Sequence, residues 1–187
     1  MSASSFFIEL CRRRRSVRRF LDKPVEREKI NLCLEAARIA PSACNSQPWK
    51  FIVVDDPALK SKLSESAFSG AYSTNLFAKK APVIIAVVSE KSSFIASVGA
   101  FLKNTRYYLI DIGIAAEHLV LQAAELGLGT CWLGWFNEKA AKKILKVPDS
   151  RRIDILIALG YPDGESTHET LPKKRKPISE ISSYNFY

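Results

Sequence analysis

Four short apolar runs interleaved with helical patterns predict a layered domain of the α/β or α+β class. Three observations carry that expectation. The runs 50–54, 82–89, 130–135 and 153–159 are rich in β-branched and large apolar residues. The stretches between them place apolar side chains at helical spacing. With 187 residues, 47% apolar and 25% charged, the chain can bury a proper core in one domain.

The elements follow in order. Residues 4–14 read as a short amphipathic helix with Phe7, Leu10 and Cys11 on one side. Arg14-Arg15-Ser16-Val17-Arg18 then forms a turn or helix end, and Asp22-Lys23-Pro24-Val25 a loop. Residues 26–39 form a helix with acid early and Ile30, Cys33, Leu34, Ala37 and Ala40 on one face. Strand 50–54 closes at Asp55-Asp56-Pro57, and Pro57 opens a helix to about Ser66. The segment 69–75 is small and polar, hence loop or lid.

Strand 82–89 is continuously apolar up to Val88, so both its faces are buried. Ser92-Ser93 marks a turn. A long helix runs from about 100 to 126, apolar on nearly every side, which implies a central or interface position. Gly127 ends it. Strand 130–135 follows, then a helix capped by Asn137 and running to Lys146. Strand 153–159 is broken by Gly160-Tyr161-Pro162-Asp163-Gly164. A basic tail ends Ser183-Tyr184-Asn185-Phe186-Tyr187, an aromatic ending suited to docking on a partner.

Net charge is +9, concentrated in Arg12-Arg13-Arg14-Arg15 with Arg18-Arg19 and in Lys173-Lys174-Arg175-Lys176. Such clusters fit nucleic acid, a small phosphorylated ligand, or a solvated face. Neither cluster is interleaved with aromatics for base stacking, so no nucleic-acid partner is expected. The longest apolar run, 81–88, is too short for a bilayer, and the basic cluster follows the N-terminal apolar patch, the wrong order for a secretory signal. Four scattered cysteines fit a reduced, cytoplasmic protein.

No metal site is expected, because His118 and His168 have no ligand-spaced partners. No nucleophile elbow or P-loop is present. Gly127-Leu128-Gly129 follows a helix and precedes a strand, the reverse of a dinucleotide loop. An enzyme built on this chain therefore relies on a bound cofactor. The segment Pro41-Ser42-Ala43-Cys44-Asn45-Ser46-Gln47-Pro48-Trp49 lies between helix and strand, where polar side chains and backbone N–H groups can face a ligand. An ordinary capping connector is the simpler reading of that loop. Cys44 within it reads as a small packing residue. Trp132 and Trp135 can stack a substrate, though strand aromatics more often pack a core.

Taken together, Arg14-Arg15-Ser16-Val17-Arg18, the loop 41–49, Glu125-Leu126-Gly127-Leu128-Gly129, Cys131-Trp132-Leu133-Gly134, Gly160-Tyr161-Pro162 and Lys173-Lys174-Arg175-Lys176-Pro177 resemble the flavin-dependent nitroreductase family over nearly the whole chain. The resemblance implies a single FMN-binding domain over 1–187. Its fold would be an α+β, three-layer α/β/α sandwich with a mixed central sheet. It implies a homodimer that exchanges a C-terminal strand, with FMN at the interface.

It further implies that Arg14, Arg15 and Ser16 hold the flavin phosphate and ribityl end, joined by Lys173 and Arg175, while Arg18 lies nearer the ring. Pro41, Ser42 and Ala43 would come from the other subunit. Asn45 and Gln47 would contact the ribityl chain or ring edge, Asn75 is a candidate for the pyrimidine edge, and Leu133 and Gly134 would offer backbone groups. The chain has Leu133 where many relatives are acidic, and 68–80 has no clear counterpart of the usual substrate cover.

The implied activity is ping-pong hydride transfer from NAD(P)H to flavin and on to a nitroaromatic, quinone or similar electron-poor acceptor, with no catalytic residue of the protein strictly required. Alternatives are another flavin reaction on the same scaffold (a dehalogenase, flavin-fragmenting enzyme or oxidase) or a non-catalytic flavin- or nucleic-acid-binding protein.

Overall fold

A computed structural model describes residues 5–90, 105–164 and 174–187. Its centre is a four-stranded sheet of β1 (Trp49–Val54), β2 (Val83–Ser89), β3 (Gly129–Leu133) and β4 (Arg152–Gly160), in spatial order β1-β2-β4-β3. Among the described residues every ladder is antiparallel. A parallel bridge joins Ser16 to Thr130 on β3.

β2 is buried on both faces, as its unbroken apolar run requires. Ile84, Ala86 and Val88 enter one core, with Leu63 and Ala67 of α3 (Pro57–Ala67) and Ala141 of α5 (Glu138–Leu145). Val83, Ile85 and Val87 enter the other, with Ile30, Cys33 and Ala37 of α2 (Arg27–Arg38) and the buried stripe of α4 (Tyr107–Glu125). Helices therefore cover both faces, which makes three layers. Among the described residues there are also two short helices, α1 (Phe6–Arg13) and α6 (Ile178–Ile181).

Local chemistry sets the boundaries. Ser5 accepts from the Ile8 N–H at 3.3 Å and starts α1. Asp56 accepts from the Leu59 N–H at 2.7 Å, with Pro57 at the first helical position of α3. Asn137 accepts from the Ala140 N–H at 3.1 Å and starts α5. Gly127, at φ +74°, ends the α4 region as anticipated.

Several boundaries depart from the sequence expectation. Thr105 and Arg106 precede α4 rather than lie inside it; 100–104, Ser92-Ser93 and His168 fall outside the described residues. α4 is buried along one stripe, while Leu109 and Ile110 stay exposed on this chain. The segment 69–75 is not an open loop: Gly70–Lys80 winds as 3₁₀ turns. Strand β3 stops at Leu133, so Trp135 lies beyond it and is not a strand aromatic.

The segment after α1 is placed by the sheet. Val17 N–H donates to Thr130 O at 2.8 Å, Leu21 N–H to Tyr161 O at 2.9 Å, and Asp163 N–H to Arg19 O at 3.1 Å. The arginine-rich stretch is thus fastened to the start of β3 and the end of β4. The close approach needs Gly129, because a Cβ there would sit 2.6 Å from Val17 Cγ2 and 2.9 Å from Val17 Cβ. Gly129→Ala should cost about 1–3 kcal/mol in chemical denaturation through this overlap. Adding Val17→Ala should recover part of the loss, and an unchanged midpoint for the single variant would refute the constraint.

Candidate functional site

The basic cluster meets the fold where α1 ends, α4 ends and β3 begins. Arg13, Arg14 and Arg15 line a cavity of about 210 Å³ with Gly127, Leu128, Thr130 and Pro162. Arg14 closes α1 by donating its N–H to Leu10 O, and its guanidinium lies 3.9 Å from Glu117 on α4. That side chain is only 20% exposed, so Arg14 is a placed group rather than part of a solvated face. The C-terminal end of α4 carries partial negative charge toward the same corner, which helps gather cations there.

Ser16 and Arg18 of the same segment lie near Cys131. Burial pushes the Cys131 thiol up, opposed by smaller downward pulls from the Arg18 charge and a Ser16 hydrogen bond. Arg18 also stands 5.9 Å over the Phe77 ring. Phe77 belongs to Gly70–Lys80, so Arg18 and Asn75 are brought to one side of the molecule. Asn75 donates through Nδ2 to the Trp135 carbonyl at 2.8 Å, and Trp135 Nε1 donates to Ala71 O at 2.9 Å. Leu133 is buried, leaving its backbone as the available part, and Gly134 is exposed.

The loop 41–48 is strained and internally bonded. Cys44, Asn45 and Gln47 take φ values of +51°, +50° and +43°, uncommon for residues with a Cβ. Gln47 N–H donates to Ser42 Oγ at 3.0 Å, and Gln47 Nε2 donates to Asn45 Oδ1 at 3.1 Å. Cys44 is exposed, so it is not the packing residue anticipated for it. Pro41 is exposed, with Ser42 and Ala43 half-buried beside it.

Asp111 anchors this loop from α4. It is 4% exposed, and its Oδ1 accepts from the Ala43 N–H at 3.0 Å. Neither Asp111 nor Glu117 was singled out from the sequence. The available signal was an acid inside an otherwise apolar helix, Ile110-Asp111-Ile112.

Asp111 and Glu117 are six residues apart, which is about 9 Å of helix and roughly 240° of rotation. The arginine corner and the 41–48 loop therefore sit on different sides of α4. The Arg13–Arg15 cavity contains no residue of that loop. The tail is apart as well. Arg175 is exposed, with its guanidinium bonded to the neighbouring Lys174 carbonyl at 3.4 Å, and Lys173 lies outside the described residues.

Sequence comparison addresses the whole chain. A model described as "Nitroreductase family" matches residues 11–73, and one described as "Putative TM nitroreductase" matches 63–186. An Archaeoglobus fulgidus protein named "Putative NADH dehydrogenase/NAD(P)H nitroreductase" is 32% identical, across 81% of this chain and 83% of its own. The chain belongs to the nitroreductase family.

A Thermotoga neapolitana protein of similar sequence, named an iodotyrosine deiodinase, is 28% identical over 92% of this chain and 94% of its own. The solved structure of an FMN-dependent nitroreductase from Clostridium difficile R20291 superposes with a TM-score of 0.75 at 30% identity, covering 96% of this chain and 99% of the other. Among the described residues, no helix is long and apolar enough to cross a membrane.

Asp111→Ala should cost about 1–3 kcal/mol, because it leaves the Ala43 N–H without its acceptor. It should also speed protease cleavage within 41–48; equal cleavage rates would separate Asp111 from the loop. A second expectation concerns the thiols. Burial pushes the Cys33 thiol up to about 12 and raises Cys131, so both stay protonated at neutral pH. A thiol reagent at neutral pH should label the exposed Cys44 and half-exposed Cys11 first, with Cys33 and Cys131 reacting on unfolding.

Proposed function

We propose that this nitroreductase-family chain is an FMN-dependent, NAD(P)H-consuming oxidoreductase that works as a homodimer. The observation that carries the reading is the arginine corner: Arg13, Arg14 and Arg15 beside Thr130 around one small cavity. Guanidinium groups and a hydroxyl are the donor set a phosphate dianion requires, so the residues present fit the phosphate end of FMN. A polyanion surface fits less well, since Arg14 is largely withdrawn from solvent and tied to Glu117.

Arg14 and Arg15 would hold the phosphate, with Ser16 toward the ribityl chain. Lys173 and Arg175 would join them when the tail is in place. Arg18, held over Phe77, supplies a positive charge that favours a negatively charged ring edge. Asn45, Gln47 and Asn75 offer amide oxygens and N–H groups of the kind a flavin's hydroxyls and pyrimidine require. Leu133 and Gly134 would contribute backbone groups. FMN, when held by these residues, would supply the redox chemistry that links NAD(P)H oxidation to reduction of a nitroaromatic, quinone or similar acceptor.

Dimerisation is part of the proposal. The placement of the 41–48 loop across α4 from the arginines supports a site completed by a second chain, with Pro41, Ser42 and Ala43 serving the other flavin. An apolar groove of about 560 Å³ between α1, α2 and α4, lined by Phe6, Phe7, Ile39 and Leu121 with His118, gives such a chain a surface to cover. Every residue from 174 to 187 is exposed, which suits a tail that crosses to the partner. One sheet with cores on both faces supports reading 1–187 as one domain. Four free cysteines suit a cytoplasmic setting.

Dehalogenation is the second reading, favoured by the deiodinase relatives. Residues 68–80 contain no carboxylate to meet an amino-acid ammonium, which favours the first.

The purified protein should be yellow or take up added FMN. The double variant Arg14→Ala, Arg15→Ala should weaken FMN binding by about 100-fold or more, since each lost charge-assisted bond is worth ~1.5–3 kcal/mol. Flavin retention should follow the dimer fraction on dilution. A colourless protein that takes up no FMN ends the proposal.

A further inference from the structure

Trp135 is 60% exposed yet fixed at three points. Its indole N–H donates to Ala71 O at 2.9 Å, and its carbonyl accepts from Asn75 at 2.8 Å. Its ring lies 5.2 Å from that of Tyr72, tilted by 46°. Segment Gly70–Lys80 supplies all three contacts and is held at its other end by Phe77 beneath Arg18. The chain thus orders a large indole and leaves much of its surface to solvent. A rigid, exposed aromatic surface binds a planar ring without the ordering cost that a mobile side chain incurs.

Its location ties this surface to the proposed flavin site. Trp135 directly follows Gly134 and is bonded to Asn75, two residues expected at the ring edge. We propose that Trp135, backed by Tyr72, forms the stacking surface that positions the electron-poor acceptor. The proposal rests on the flavin reading. Indole is electron-rich, so it pairs best with a quinone or nitro-substituted ring. The absence of carboxylates in 68–80 means that the ammonium of a free amino acid gains no ion pair there, so the surface favours flat neutral or anionic rings. Trp135 is then a residue of acceptor specificity.

The test uses menadione with the FMN-loaded protein and no NAD(P)H, binding being read by equilibrium dialysis. Trp135→Ala should weaken menadione binding by about tenfold and, in a separate turnover assay with NAD(P)H, raise its KM in parallel, as loss of one stacked aromatic implies. Trp135→Phe should stay within about threefold of the parent, since phenyl still stacks although it cannot donate to Ala71. Unchanged affinity in Trp135→Ala overturns the proposal. Equal losses in both variants also overturn it, because they assign Trp135 the role of a brace. Should Trp135→Ala not fold, judged by its melting curve and flavin absorbance, Tyr72→Ala carries the same test with a smaller expected loss. In flavin-free protein, menadione should still quench tryptophan emission in the parent more than in Trp135→Phe. That readout survives failure of the flavin reading and fails with the stacking surface.

Discussion

Burial of β2 and β4 on both faces is the constraint on which the rest of this molecule depends. Their side chains alternate between two apolar cores, each roofed by helices. Such a sheet has no face to spare for polar chemistry. Functional groups are pushed to strand ends and to the edge at β3, where Ser16 and Val17 attach. The arginine corner lies at the start of β3, and the Gly134–Trp135 turn lies just past its end. Both ends of one edge strand thus carry the candidate chemistry.

Helix α4 distributes that chemistry in space. Its buried stripe belongs to the core, and two of its acids, Asp111 and Glu117, point at different angles around the helix. Glu117 approaches Arg14, and Asp111 takes the Ala43 N–H. A buried carboxylate is costly unless it is hydrogen-bonded, so Asp111 does more than fill space. It holds a loop whose backbone departs from ordinary conformations at three residues. The strain in 41–48 and the buried acid that restrains it belong to one device.

Much of the fold was legible in the sequence. Four apolar runs appear as four strands, and Asn137, Pro57 and Gly127 act at the helix ends where their chemistry places them. The exceptions have physical causes. Residues 70–80 look like a polar loop because their contacts, Ala71 and Asn75 with Trp135 and Phe77 with Arg18, reach distant parts of the chain. Trp135 reads as a strand residue because strand pattern does not show where pairing stops; pairing with β4 stops at Leu133. Asp111 carries no local signal of its role, because an acid between Ile110 and Ile112 has no sequence neighbour to pair with.

The sequence by itself determined the two-faced sheet, its helices, the arginine cluster and the polar loop, because these follow from local periodicity and residue chemistry. Its motifs were also enough to indicate the family. Tertiary structure alone decided which groups meet. It placed Arg13–Arg15 against Thr130, Asp111 under Ala43, and Trp135 between Ala71, Tyr72 and Asn75. Each of these pairings joins residues far apart in the chain. Such distances close only when the two cores pack and fix the strand order, which no local pattern encodes.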